Sequence, residues 1–166
     1  MRIFGITGWK NSGKTTLMER LVAEFCSRGF SVSTIKHAHH NVDVDQPGKD
    51  SHRHRQAGAH QVILASSTRW ALMHELREAQ EPPLSELLEH LSPVDLVLVE
   101  GYKYADHAKI EAALSPAKQP LLAHSETHIL AVASGYSPPC LAVPVLDIND
   151  IPGIANFIAA KTGLLS

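Results

Sequence analysis

From Arg2 to Thr16 the chain reads RIFGITGWKNSGKTT, and the order of residue types in this stretch decides the fold. The apolar run RIFGIT (2–7) is strand-like and stops at Gly8. A glycine-rich turn follows, and from Thr15 the period becomes helical through TTLMERLVAEFCSRG. Gly8-Trp9-Lys10-Asn11-Ser12-Gly13-Lys14-Thr15 is a complete G-x-x-x-x-G-K-T, with the strand before it and the helix after it that the motif requires. Gly8 and Gly13 allow dihedrals that a side chain forbids. The loop N–H groups can therefore converge on phosphate oxygens, reinforced by the positive end of the following helix. In that reading Lys14 neutralises the β- and γ-phosphates, and the Thr15 hydroxyl ligates Mg²⁺, an ion that prefers oxygen. The bland alternative is a glycine turn that happens to carry Lys-Thr.

Outward from this stretch, Leu17, Leu21, Val22 and Phe25 form one buried stripe of the first helix, with Glu19, Arg20, Glu24 and Arg28 facing away and Gly29 as its stop. Cys26 falls at an apolar helical position and reads as packing. SVSTIKH (31–37) is a second strand, so the chain opens with a βαβ unit and parallel pairing. Residues 38–59 are polar and carry Pro47-Gly48. They admit at most a short helix around Ser51–Ala57. HQVILA (60–65) and RWALMHEL (69–76) read as a hairpin or as two adjacent strands. LSELLEHL (84–91) is a short amphipathic helix, DLVLVEG (95–101) and HILAVAS (128–134) are buried strands, and KIEAAL (109–114) is a further one. IPGIANFIAAKTG (151–163) closes the chain as a helix with Ile154, Phe157 and Ile158 inward. The fold class expected is α/β: a three-layer α/β/α P-loop architecture, with a mainly parallel central sheet and a β-hairpin extension. No repeat or linker marks a boundary, so residues 1–166 are expected to form a single nucleotide-binding domain.

Composition narrows the function. In 166 residues, 15 Lys+Arg against 17 Asp+Glu leave a net charge of −2, without the basic footprint of a nucleic-acid binder or a polybasic membrane anchor. A chain of this size buries roughly two thirds of its unfolded surface and needs no staple. Its only two cysteines, Cys26 and Cys140, fit a reducing compartment. No segment approaches the roughly 18 apolar residues of a membrane span, and the N-terminus lacks a signal-peptide core, so the expected location is cytoplasmic.

Beyond the loop, Glu100 ends a buried strand where a carboxylate reaches the Mg²⁺ shell at the mouth of a parallel sheet, or else simply exits into solvent. Asp95 begins the same strand and is the weaker candidate. Asp50 either holds a metal-bound water or, with Ser51 as the other candidate, caps the helix that follows. Arg53 and Arg55 either clamp phosphate or are solvated. Six of the eleven histidines, His37, His39, His40, His52, His54 and His60, lie within one stretch. They raise a transition-metal reading, although their spacing matches no zinc site. Trp9 shields the nucleotide, contacts a partner or packs on its own loop.

Gly8–Thr16, Ile35-Lys36-His37, Asp45-Gln46-Pro47-Gly48-Lys49-Asp50-Ser51 with Ala57-Gly58-Ala59, and Val99-Glu100-Gly101-Tyr102-Lys103 together resemble the MobB family of molybdopterin-guanine dinucleotide biosynthesis adaptor proteins. The resemblance implies a homodimeric GTP-binding P-loop protein. It would use GTP and Mg²⁺, with slow hydrolysis at most, and assist a molybdenum cofactor guanylyltransferase that acts on a molybdopterin-related ligand. The residues themselves give the candidate phosphate contacts as Gly8, Trp9, Lys10, Asn11, Ser12, Gly13, Lys14, Thr15 and Thr16, and the candidate metal-side groups as Thr15, Glu100 and Asp50. A guanine-reading Asn-Lys-x-Asp is absent from the sequence, so the base is expected to meet Ala131–Gly135, Ala133 and Ser134 in particular, with Leu146–Asp150 as a further lining; Asp150 alternatively caps the last helix. Two other readings compete. One is a metal-insertion GTPase using His37, His39 and His40; the other is a small-molecule kinase with Asp50 as base and Arg53 and Arg55 over the phosphates.

Overall fold

The computed structural model describes residues 1–38 and 43–164. In chain order its elements are β1 (Arg2–Thr7), α1 (Lys14–Ser27), β2 (Val32–Lys36), α2 (Asp50–Gln56), β3 (Gln61–Ala65), β4 (Trp70–His74), α3 (Leu84–Glu89), β5 (Leu96–Glu100), β6 (Lys109–Ala113), β7 (Ile129–Ser134), β8 (Val145–Asp147) and α4 (Ile151–Thr162). They fall into two compact units, Met1–His37 with Leu91–Ser166, and Ala38–His90.

The first unit is built on a six-stranded sheet in the order β2-β5-β1-β6-β7-β8, with every described pair parallel. Strands covered on both sides read as continuous apolar runs, and Leu96–Val99 are fully buried accordingly. Phe4, Ile6, Leu98 and Ile110 point to one face. There they meet Leu17, Leu21 and Phe25 of α1 together with Ile154 and Ile158 of α4. The other face carries Lys109 and Glu111, both essentially without exposure. Each is matched to main chain. The Lys109 ammonium donates to the carbonyls of Lys103 (3.4 Å) and Ala105. The Glu111 carboxylate accepts the amides of Leu122 (3.0 Å) and Ala123 (2.9 Å), at the start of a 3₁₀ turn over Leu122–His124. Burial pushes the Glu111 carboxyl above its ordinary range against the pull of those amides. Burial also lowers the Lys109 ammonium, opposed by Glu126 and Asp106.

The expected helices of this unit form where the periodicity puts them, with two differences. Cys26 is exposed. The buried stripe runs through positions 17, 21 and 25, and the neighbouring row at 18, 22 and 26 drifts out of the core by the last turn. Phe157 is only partly buried, with the Lys161 ammonium 5.6 Å from its ring centre. Asp150 does cap α4: its carboxylate accepts the amide of Gly153 at 3.0 Å. The edge strand β8 leaves no signature in the sequence, because three residues are too few to show a period.

In the second unit β3 and β4 pair antiparallel, Ala65 opposite Trp70, so the two runs form a hairpin. Ser66 closes it by accepting the Thr68 and Arg69 amides on its hydroxyl while its own N–H donates to the Arg69 carbonyl. Ile63, Leu64 and Trp70 remain more than half exposed on this hairpin. Arg55 of α2 is not solvated. Its guanidinium is held by Asp43 (2.8 Å), Asp45 (3.3 Å) and Glu75 (2.7 Å), and these bonds raise its basicity further. Neither Asp50 nor Ser51 caps α2. Lys49 occupies the cap position, and the Ser51 hydroxyl donates instead to Asp45 at 2.9 Å.

Candidate nucleotide phosphate site

Within the first unit the loop 8–13 leaves the carboxyl end of β1 and turns directly into α1. At Gly8 the backbone φ is 137°, and a Cβ there would stand 2.6 Å from the Ala112 carbonyl oxygen. Only glycine fits so close an approach. Gly13 has φ 90°. Asn11 supplies a further positive φ, 62°, which asparagine tolerates better than most residues. The loop is tied to the sheet because the Leu114 amide donates to the Ser12 carbonyl at 3.0 Å. The Ser12 hydroxyl is buried and has no hydrogen-bond partner among the described residues.

Lys14 extends back across the loop and donates to the Trp9 carbonyl at 2.6 Å. Burial lowers its pKa, as do Lys103 and Lys36, whereas Glu100 works in the opposite direction. The Thr15 hydroxyl donates to the Glu100 carboxylate at 3.3 Å. That approach follows from register: β5 lies beside β1 with Glu100 opposite Ile6, so its last residue comes level with the loop. Glu100 is 8% exposed and therefore does not simply exit into solvent. The hydroxyl and carboxylate oxygens are the donor set a hard divalent cation takes, so these residues fit Mg²⁺. Thr16 and Lys10 are exposed.

Asp95, at the opposite end of β5, accepts the Ser31 amide (2.8 Å) and hydroxyl (2.6 Å), which hold its carboxyl below the ordinary range. It joins two strand starts and stands apart from the loop. Asp50 belongs to the second unit, where its exposed carboxylate lies 3.9 Å from Arg53. Ala133 is core. The Ser134 hydroxyl donates to the Ala113 carbonyl at 3.2 Å and accepts the Tyr136 amide. Among the histidines, His37 stacks on Tyr102 with ring centres 4.6 Å apart, while His39 and His40 lie outside the described residues. No group of three or more His, Cys, Asp or Glu side chains among the described residues could hold a metal ion. Nor is any described helix long and apolar enough to cross a membrane.

Trp9 is fixed from two sides: its indole N–H donates to the Pro120 carbonyl at 2.8 Å, and the Lys103 ammonium sits 4.4 Å from its ring centre. Beside it a cavity of about 270 Å³ opens between the ends of β1 and β6, lined by Trp9, Lys10, Ser12, Glu111, Ala113 and Lys118 among others. The chain leaves β1 toward β2 on one side and β6 toward β7 on the other, the crossover at which open parallel sheets bind ligands. The Lys36 ammonium lies 3.7 Å from Glu100, and with Lys103 over Trp9 it adds to this end of the sheet two cations that the sequence reading did not single out. Only strand order and register bring them to the loop.

Comparison with known proteins adds a separate line. The family model described as molybdopterin guanine dinucleotide synthesis protein B matches residues 3–135. The chain is 43% identical over 159 residues to the molybdopterin-guanine dinucleotide biosynthesis adapter protein of Escherichia coli (strain K12), covering 94% of this chain and 90% of that one. It is 45% identical over 162 residues to the protein of the same name from Haemophilus influenzae, covering 94% and 86%. The crystal structure of a MobB protein homolog from Bacillus stearothermophilus superposes with a TM-score of 0.69 at 29% identity, over 96% of this chain and 99% of that chain.

Proposed function

Since the chain belongs to the molybdopterin guanine dinucleotide synthesis protein B family and is an accessory protein of molybdenum-cofactor biosynthesis, we propose that it binds GTP with Mg²⁺ in the loop 8–16 and works with a guanylyltransferase. The observation that carries the nucleotide part is the 3.3 Å approach of Thr15 to Glu100 beside Lys14, at the mouth of a parallel sheet. Bound Mg²⁺ would draw charge from the phosphate oxygens. The chain's own residues do the rest. The loop amides and the start of α1 bind the phosphates, Lys14 exchanges the Trp9 carbonyl for phosphate oxygen, and Thr15 and Glu100 would hold the cation. The base meets the backbone at the carboxyl end of β7, around Ala133, Ser134 and Gly135. Gly13 adjoins Leu114 and Ile148, which places the β6 and β8 exits beside the start of α1 and supports this direction.

Acting in the cytoplasm, the protein presents GTP to the enzyme that guanylylates a molybdopterin-related ligand, and hydrolyses it slowly at most. It does so as a homodimer, a state favoured by the exposed Ile63, Leu64 and Trp70 of the hairpin. The test is co-precipitation of the purified guanylyltransferase with this protein, with and without a non-hydrolysable GTP analogue and Mg²⁺, alongside calorimetric titration of the analogue. Saturable binding and nucleotide-enhanced recovery are expected. Absence of binding by folded protein would overturn the reading.

A further inference from the structure

Three lysines, from α1, from β2 and from the turn after β5, converge on the loop, and each is held by an internal partner. Lys14 of α1 rests on the Trp9 carbonyl at 2.6 Å, Lys36 at the end of β2 on Glu100 at 3.7 Å, and Lys103, after β5, on the Trp9 ring at 4.4 Å. Glu100 is the one carboxylate paired with any of them among these contacts. Gathering like charges is unfavourable unless an anion of matching multiplicity occupies the site. The Lys36 side chain is 60% exposed, so its ion pair is solvent-screened and contributes little to stability. Packing therefore gives no account of why it is directed there.

Lys103 is set with more care. Buried Lys109 donates to its carbonyl at 3.4 Å and also to that of Ala105, fixing the backbone from which the Lys103 side chain reaches Trp9. Gly101 and Tyr102, both at positive φ, make the sharp turn that brings it round after β5.

We infer that Lys36 and Lys103 are the residues that recognise the terminal phosphate, so that the site selects a nucleoside triphosphate over the diphosphate. Position assigns that end to them. Lys36 stands on the Glu100 side of the loop, where Thr15 and Glu100 would hold the cation, and Lys103 stands over Trp9, the second residue of the loop. A diphosphate reaches the loop amides and Lys14 but leaves the other two cations unmatched. A terminal phosphate gives both an acceptor stronger than a shared carboxylate or a ring face. Trp9 in this scheme is the rest position of Lys103, and its fluorescence reports the departure.

The inference rests on the proposed nucleotide binding and is tested by calorimetry with Mg²⁺, a non-hydrolysable GTP analogue and GDP. The proteins compared are the wild type, Lys36→Gln, Lys103→Gln and the corresponding arginine variants. Each glutamine variant is expected to lose about tenfold in affinity for the triphosphate analogue and less than about twofold for GDP, while the arginine variants keep the preference. Trp9 emission is expected to shift with the analogue and far less with GDP. Equal losses for both nucleotides, unchanged affinities, or arginine variants without the preference would overturn the inference while leaving nucleotide binding intact. A wild-type protein that retains neither nucleotide would overturn both.

Discussion

His107 offers a prediction whose size can be worked from its surroundings. The ring lies against Gly5, where a Cβ would come within 2.5 Å of its Nε2, and neither ring nitrogen has a hydrogen-bond partner among the described residues. Burial, then the Lys109 ammonium and His128, lower its pKa from 6.5 to about 4, with Asp106 pulling the other way. A histidine with a depressed folded-state pKa binds fewer protons folded than unfolded between these two values. Its contribution to stability is therefore intact above pH 6.5 and is lost as pH falls toward 4. Integrating the linkage from pH 7 to pH 5 gives about 1.8 kcal/mol for the full shift. The ring is partly solvated, so screening reduces this to about 1 kcal/mol. The perturbation is His107→Leu, which removes the titration and leaves an apolar group against Gly5. Urea unfolding of both proteins at pH 7 and pH 5 provides the assay. The wild type should lose about 1 kcal/mol more than the variant, or roughly 0.5 M in midpoint for an m-value near 2 kcal/mol/M. Parallel loss of stability in the two would refute the reasoning.

Gly8→Ala should abolish nucleotide binding in a fluorescence titration, because the new Cβ meets the Ala112 carbonyl at a φ of 137°. Glu100→Gln should keep nucleotide affinity in EDTA but lose the gain on adding Mg²⁺; an unchanged Mg²⁺ response would remove Glu100 from the metal shell. Replacing Arg55 with Met leaves the carboxylates of Asp43, Asp45 and Glu75 facing one another, and limited proteolysis should then cut within residues 38–90 well before the remainder of the chain. Asp150→Ala removes the acceptor for the Gly153 amide and should cost about 1 kcal/mol, seen as a fall of several degrees in the melting temperature.

Much of this molecule is legible in its local sequence, for a physical reason. The glycine loop 8–13 is a matter of dihedrals and residue type at adjacent positions: Gly8 and Gly13 at positive φ, then Lys14 and Thr15 at the start of a helix. The stripe Leu17, Leu21 and Phe25 records the helical period, and Leu96–Val99 records a strand buried on both faces. Even the Asp150 cap is a three-residue event. Properties that depend on strand order lay outside local reach. Nothing near Lys109 or Glu111 announces full burial, which is possible only because main-chain groups at 103–105 and 122–123 arrive from elsewhere to satisfy the charges. The fate of Arg55 was set by three acids spread from position 43 to position 75. Lys36 and Lys103 are 67 residues apart, and they share a site because β5 inserts between β2 and β1, its Glu100 level with both Lys36 and Ile6. Conformation over a few residues is decided by sterics and period. Which charges meet is decided by long-range pairing, and that exists only once the sheet has closed.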